Sequence, residues 1–169
     1  IIPSTPKHAL ISKLLELYAD DWLPMAALHY RWNYKQNTKF IIREFGRSAL
    51  PYFPSFIQTM AAKKAAGQMS GYLPMLGITK NTHAALEVNT ESLMSNLDKH
   101  FCEYKFVLGG RPTLGDFSLY GPLYAHLHRD PFPIDLVAKY THLLAWIERM
   151  KEEGIADQGA LVSNDEIPK

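Results

Sequence analysis

Trp22, Met25, His29 and Trp32 are spaced three, four and three, so a helix would carry two indoles, a thioether and an imidazole along one stripe. Large apolar side chains with one polar handle suit the wall of a hydrophobic ligand site. The same spacing is also the ordinary signature of a packed face. Tyr124, in a second apolar stretch, is a further candidate for that wall. Other chemistry is harder to build. His126 and His128 are two apart, about 200° around a helix, and cannot chelate one metal; His100 and Cys102 fail in the same way. No metal site is expected, and no serine, histidine and acid can be grouped from spacing. Cys102, beside Phe101, reads as an inert buried thiol.

These residues need helices to position them. The stripe begins at Ile11 and Leu15 and continues through Tyr18 to Trp32, a long helix or two in series, with Thr5 as N-cap and Pro6 in the first turn. Pro24 cannot donate to the carbonyl of Asp20, which predicts a break between Asp20 and Pro24. Between Asn33 and Leu50 only "KFIIREFG" looks helical, as two turns ending at Gly46. A helix from Pro51 or Pro54 to Gln68 is stopped by Gly71, Pro74 and Gly77. Another spans Thr82 to Tyr104, and a last one carries Leu136, Tyr140, Leu143, Ile147 and Met150 before Gly154. No segment alternates with period two. The expected fold is all-α, a bundle of five to seven helices: linker 1–6, helical domain 7–154 and polar tail 155–169.

The most informative stretch is "VLGGRPTLGDFSLYGPLYAHL". Thr113 and Asp116 stand three apart at a helix start, where the hydroxyl can take the Asp116 amide and the carboxylate the Thr113 amide, a reciprocal N-cap aided by the helix dipole. Phe117, Leu119, Tyr120, Leu123, Tyr124 and Leu127 leave little room for a solvated face, so this helix should be central. Gly121 is expected to admit a neighbouring helix, and Pro122 to bend the axis by removing the donor to Ser118.

Composition narrows the function. The chain has 169 residues, 18 Lys and Arg against 17 Asp and Glu, and one cysteine. A formal charge of +1 advertises neither nucleic acid nor an anionic membrane as partner. A single cysteine suits a reducing compartment, and no run approaches a membrane span or a signal peptide, so a cytoplasmic location is expected. The sequence opens on Ile1 rather than Met, and "IIPSTP" reads as a linker from an upstream part.

The "PSTP" linker, the long kinked aromatic helix, the Gly110, Thr113 and Asp116 pattern and "LLAWIERM" together resemble the C-terminal all-helical domain of glutathione S-transferases. The resemblance implies that Thr113 and Asp116 cap the central helix and act in folding. It implies that Trp22, Met25, His29, Trp32 and Tyr124 line the site of an apolar electrophilic co-substrate, and that the first helices contribute to a homodimer. Asp20 and Asp21 would then be a solvated pair or reach a cationic group of glutathione in a neighbouring subunit. Glutathione and its thiol-activating residue would belong to a thioredoxin-like domain that lies outside this sequence. No cofactor or catalytic residue is therefore expected within this chain, and alone it should be inactive. The alternative from the same resemblance is a non-catalytic protein-interaction module.

Overall fold

A computed structural model describes residues 2–152, 154 and 159–168. Pro6 opens α1 (Pro6–Asp21) and Pro24 lies in the first turn of α2 (Leu23–Asn33). Trp22 is the joint, its amide still bonded to the Tyr18 carbonyl at 3.0 Å. The break falls where the missing Pro24 amide demands it. The chain continues through α3 (Lys35–Ala49), α4 (Ser55–Gly71), a 3-10 turn at Leu73–Leu76, and α5 (His83–Glu103). Then come α6 (Leu114–Pro122), a π-helical turn at Leu123–His128, the single turn α7 (Pro133–Val137) and α8 (Thr141–Arg149). The fold is all-α, with seven helices of nine residues or more besides α7 and no strand among the described residues. No helix there is long and apolar enough to cross a membrane.

Several expectations need correction. The ambiguous segment before Leu50 is a full helix, and Gly46 lies inside it rather than at its end. A Cβ at Gly46 would sit 2.8 Å from the backbone oxygen of Gln58, so this glycine lets α4 pack against α3. The last predicted helix is two, because Asp98 of α5 accepts from the amides of His142 and Leu143 at 2.7 and 3.0 Å and starts α8 afresh. Thr5 precedes α1, but its side chain makes no cap bond to that helix; Asp165 accepts from Lys7 and His8 at 2.8 and 3.0 Å. Residues 160–166, read as polar tail, thus lie against the body of the fold, where Val162 also donates to the Leu108 carbonyl at 3.0 Å. Gly121 faces open space. The close-packed glycine of α6 is Gly115, whose Cβ would meet Leu15 at 3.1 Å and whose amide donates to the Ser12 hydroxyl at 3.0 Å. Cys102 is exposed.

Two cores result. The larger joins α1, α5, α6 and α8 around Met94, Leu108, Leu119, Leu143, Trp146 and Ile147. The smaller holds the α3–α4 hairpin and the 3-10 turn to α2 through Trp32, Ile41, Ala66, Leu73 and Ile78. The change from α-helix to a π turn after Pro122 has a use. The π turn leaves the Ala125 carbonyl to accept from Arg31 at 2.9 Å, while Arg31 grips the buried Asp130 with two bonds of 2.8 and 2.9 Å.

Removing either partner strands the other charge in the interior. Arg31→Met and Asp130→Leu should each lower unfolding free energy by about 3 to 5 kcal/mol, and the double variant by less than their sum. Urea titration of the four proteins checks this.

Candidate functional site

The helix joint that Pro24 creates turns Trp22 outward, 60% exposed, while Met25 follows one turn later and half-buried. Opposite them, the 3-10 turn closes at Gly77, whose φ of 75° is the left-handed conformation glycine tolerates. The Thr82 hydroxyl secures that rim by donating to the Gly77 carbonyl at 2.7 Å and accepting the Thr79 amide at 2.9 Å. Between the joint, the rim and α5 lies a cavity of about 560 Å³, lined by Tyr18, Trp22, Met25, Leu76, Leu86 and Asn89 among others. Its walls are mainly apolar, with Thr82, Asn89 and Thr90 as polar residues among them. Such a space can take a small hydrophobic molecule.

The five residues proposed as one wall are divided. Trp22 and Met25 line the cavity; Trp32 is buried in the smaller core, its ring 6.3 Å from that of Phe45. His29 is wholly interior. Tyr124 lies on the π turn, stacked on Tyr120 at 5.1 Å with the Lys151 ammonium 4.8 Å from its ring centre. The reason lies along α2, whose successive turns meet different neighbours: Met25 near its start faces the cavity, His29 meets Glu87 of α5, and Trp32 near its end meets Phe45 of α3. Asp20 and Asp21 are exposed.

Spacing gave no hint of the polar cluster around His29. Glu87 of α5 accepts hydrogen bonds from His29 Nε2 at 2.9 Å and from the Tyr34 hydroxyl at 2.6 Å. Nδ1 of His29 faces the Asn33 amide at 3.1 Å, which leaves Nε2 as the nitrogen that donates. The His83 ring stands 4.3 Å from that of His29. Burial and its bond to Glu87 push the Tyr34 hydroxyl up to about 12. The Tyr34 bond, assisted by His29, holds the Glu87 carboxyl below its ordinary value against partial burial. Burial and the neighbouring His29 lower His83. A neutral phenol donating to an ionised carboxylate binds the α2–α3 junction to α5; it is not a group poised to activate a thiol. His83 and Glu87 share one helical face, but their partners come from another helix, and only folding brings them together.

Asp116 is the other site of converging polar groups. Its Oδ2 accepts from the Thr113 amide at 2.9 Å and the Thr113 hydroxyl at 3.1 Å. Its Oδ1 accepts from the Val107 amide at 2.9 Å and the Trp146 indole at 3.2 Å. Burial pushes this carboxyl up, and the four donors oppose that rise. Asp165 is the reverse case: the Thr5 hydroxyl and the amides of His8 and Lys7 outweigh desolvation and hold it at about 2.

Asp116→Ala strands four donors and should cost about 3 kcal/mol or more; Asp116→Asn, which turns an amide toward donors, should cost at least about 2 kcal/mol. Denaturant midpoints check both. The pH dependence separates the acids. Glu87 and Asp165 bind protons less readily folded than unfolded, so their stabilisation is present above their ordinary 4.5 and 3.8 and fades as pH falls. Asp116 has the opposite sign, holding its proton longer in the fold, so its contribution declines as pH rises above 3.8. Glu87→Gln should therefore flatten the acid limb of a stability–pH curve measured by thermal melting.

The model of the glutathione S-transferase C-terminal domain matches residues 65–149, from within α4 to the end of α8. Neither a curated protein nor a solved structure matches the chain. The matched span holds the central helix α6 with Thr113 and Asp116, its partner Trp146 and the α5 rim of the cavity. With just over half of its length matched and an all-α fold around a buried central helix, the chain belongs to the glutathione S-transferase C-terminal domain family.

Proposed function

We propose that this helical domain supplies the apolar co-substrate wall of a glutathione transferase, and that its parent protein joins the thiol of glutathione to an electrophilic apolar molecule. The observation that carries the reading is the cavity at the α1–α2 joint, with Trp22 and Met25 in its wall. Glutathione, as co-substrate, and the group that activates its thiol are assigned to a thioredoxin-like domain outside this sequence. Within the wall Trp22 and Met25 contact ligand, while His29 holds the α2–α5 wall in place through Glu87. A second part of the reading concerns association. Leu10, Leu14 and Leu17 are spaced four and three on α1 and are at least half exposed. An apolar stripe of this kind supports a contact with a second copy of the chain, consistent with a homodimer.

A neutral apolar dye should bind and quench Trp22 emission. Trp22→Ala and Met25→Ala should each weaken binding several-fold while the melting midpoint stays close to that of the parent. Dye affinity untouched by either substitution would remove the wall. Sedimentation should show concentration-dependent association that Leu14→Glu abolishes; a strictly monomeric parent would sink the dimer.

A further inference from the structure

The balance of charge over the whole chain conceals an uneven distribution. Residues 35–71, the α3–α4 hairpin, carry six Lys and Arg against one Glu; the other residues carry twelve against sixteen. Lys39, Arg43 and Arg47 repeat every four residues on α3, and with Lys63 of α4 they line a groove of about 440 Å³. Ile42, Ser55, Gln58 and Thr59 complete it, and no carboxylate contributes. All four cations are exposed, and none makes an ion pair among the described residues. The hairpin's one acid, Glu44, is not in the groove and is met by Arg129 at 3.4 Å.

A second feature lies at the closed end of the hairpin, where the groove reaches Arg47 and Ser55. Tyr52 is 97% exposed, Phe56 70% and Met60 68%, with Phe53 also exposed. Phe56 and Met60 follow the groove face of α4 around the helix, next to Lys63. The loop that bears Tyr52 and Phe53 is held outward rather than collapsed. Gln58 donates to the carbonyls of both Leu50 and Phe53, at 3.0 and 2.9 Å, and Gly46 fixes the two helices at close approach. Free phosphate would explain the cations but not a cluster of aromatic and thioether side chains presented to water beside them. A bilayer explains both: cations meet anionic headgroups, and aromatic rings enter the interface below them.

We infer that the groove face of the α3–α4 hairpin and its closed end dock on anionic membrane surfaces, with Lys39, Arg43, Arg47 and Lys63 on the headgroups and Tyr52, Phe53, Phe56 and Met60 at the acyl boundary. The docking is peripheral. It does not depend on the transferase reading, because every groove residue precedes the span that matches the family.

Co-sedimentation with vesicles tests it, using phosphatidylcholine alone and an equimolar mixture with phosphatidylserine. The chain should pellet with the mixed vesicles only, and less so as sodium chloride is raised. Arg43→Gln and Arg47→Gln should each weaken binding about fivefold, and the pair about thirtyfold. Phe56→Ser should weaken it without changing the salt dependence, and Lys99→Gln on α5 should leave it unchanged. Tyr52→Trp, excited with the mixed vesicles, should shift to shorter emission wavelength. Lys39→Gln with Lys63→Gln gives an independent route should an arginine variant alter the circular dichroism of the fold. Equal binding to both vesicles, or arginine variants that bind like the parent, would overturn the inference. So would release by inorganic phosphate at matched ionic strength, which would make the groove a site for free anions.

Discussion

The carboxylate of Asp116 is the constraint on which the helical body depends. Its four donors come from the segment before α6, from the start of α6 and from α8, so one side chain settles how three parts of the chain meet. The position is buried, and an amide left without a partner there has no water to turn to. Trp146 reaches Asp116 while its ring stacks on Phe101 of α5 at 4.8 Å. Polar satisfaction and apolar packing thus point the same indole in one direction. The Ser12 hydroxyl of α1 accepts the next free amide of α6, so the central helix begins against its neighbours rather than against solvent.

The same solution recurs at other helix starts. Asp165 serves α1 and Asp98 serves α8, each from a distant part of the chain. A cap drawn from the next residue stabilises a helix wherever it lies; a cap drawn from afar stabilises it only in its native place. These caps therefore specify arrangement as much as helicity. Arg31 acts in kind, since its bidentate hold on Asp130 and its bond to Ala125 fasten α2 to the π turn.

The two cores divide the molecule chemically. The larger one joins the matched span to α1 and α2 before it and is organised around α6. The smaller one, with Trp32 at its centre, anchors a hairpin whose outer surface is basic and aromatic. Gly46 matters to both descriptions. Without a side chain there, α3 and α4 approach closely enough for Gln58 to brace the loop. The ligand cavity lies where the two regions adjoin, lined by Tyr18 and Leu23 of the larger and by Met25 and Leu86 of the smaller.

Much was legible in the sequence because it rests on local rules. Apolar residues at three- and four-residue spacing announce helices, Pro24 and Pro122 remove particular donors, and Thr113 with Asp116 marks a helix start, whatever surrounds them. Charge along the chain is equally local, and the basic run of residues 35–71 could have been read by counting in segments. What only the tertiary structure decided is which neighbours each face meets. Met25 and Trp32 share a stripe on one helix, yet the first lines a cavity with Trp22 and the second enters a core, because different elements cover the two ends of α2. Gly46, expected to end a helix, admits a neighbouring one, and Gly121, expected to admit a neighbour, faces open space, because whether a glycine admits a neighbour depends on a helix that arrives from elsewhere. Glu87 and His29, 58 positions apart, form a polar pair that no spacing rule contains. A helix fixes contacts within about four residues; beyond that distance, burial and the demand that every interior donor find an acceptor choose the partners.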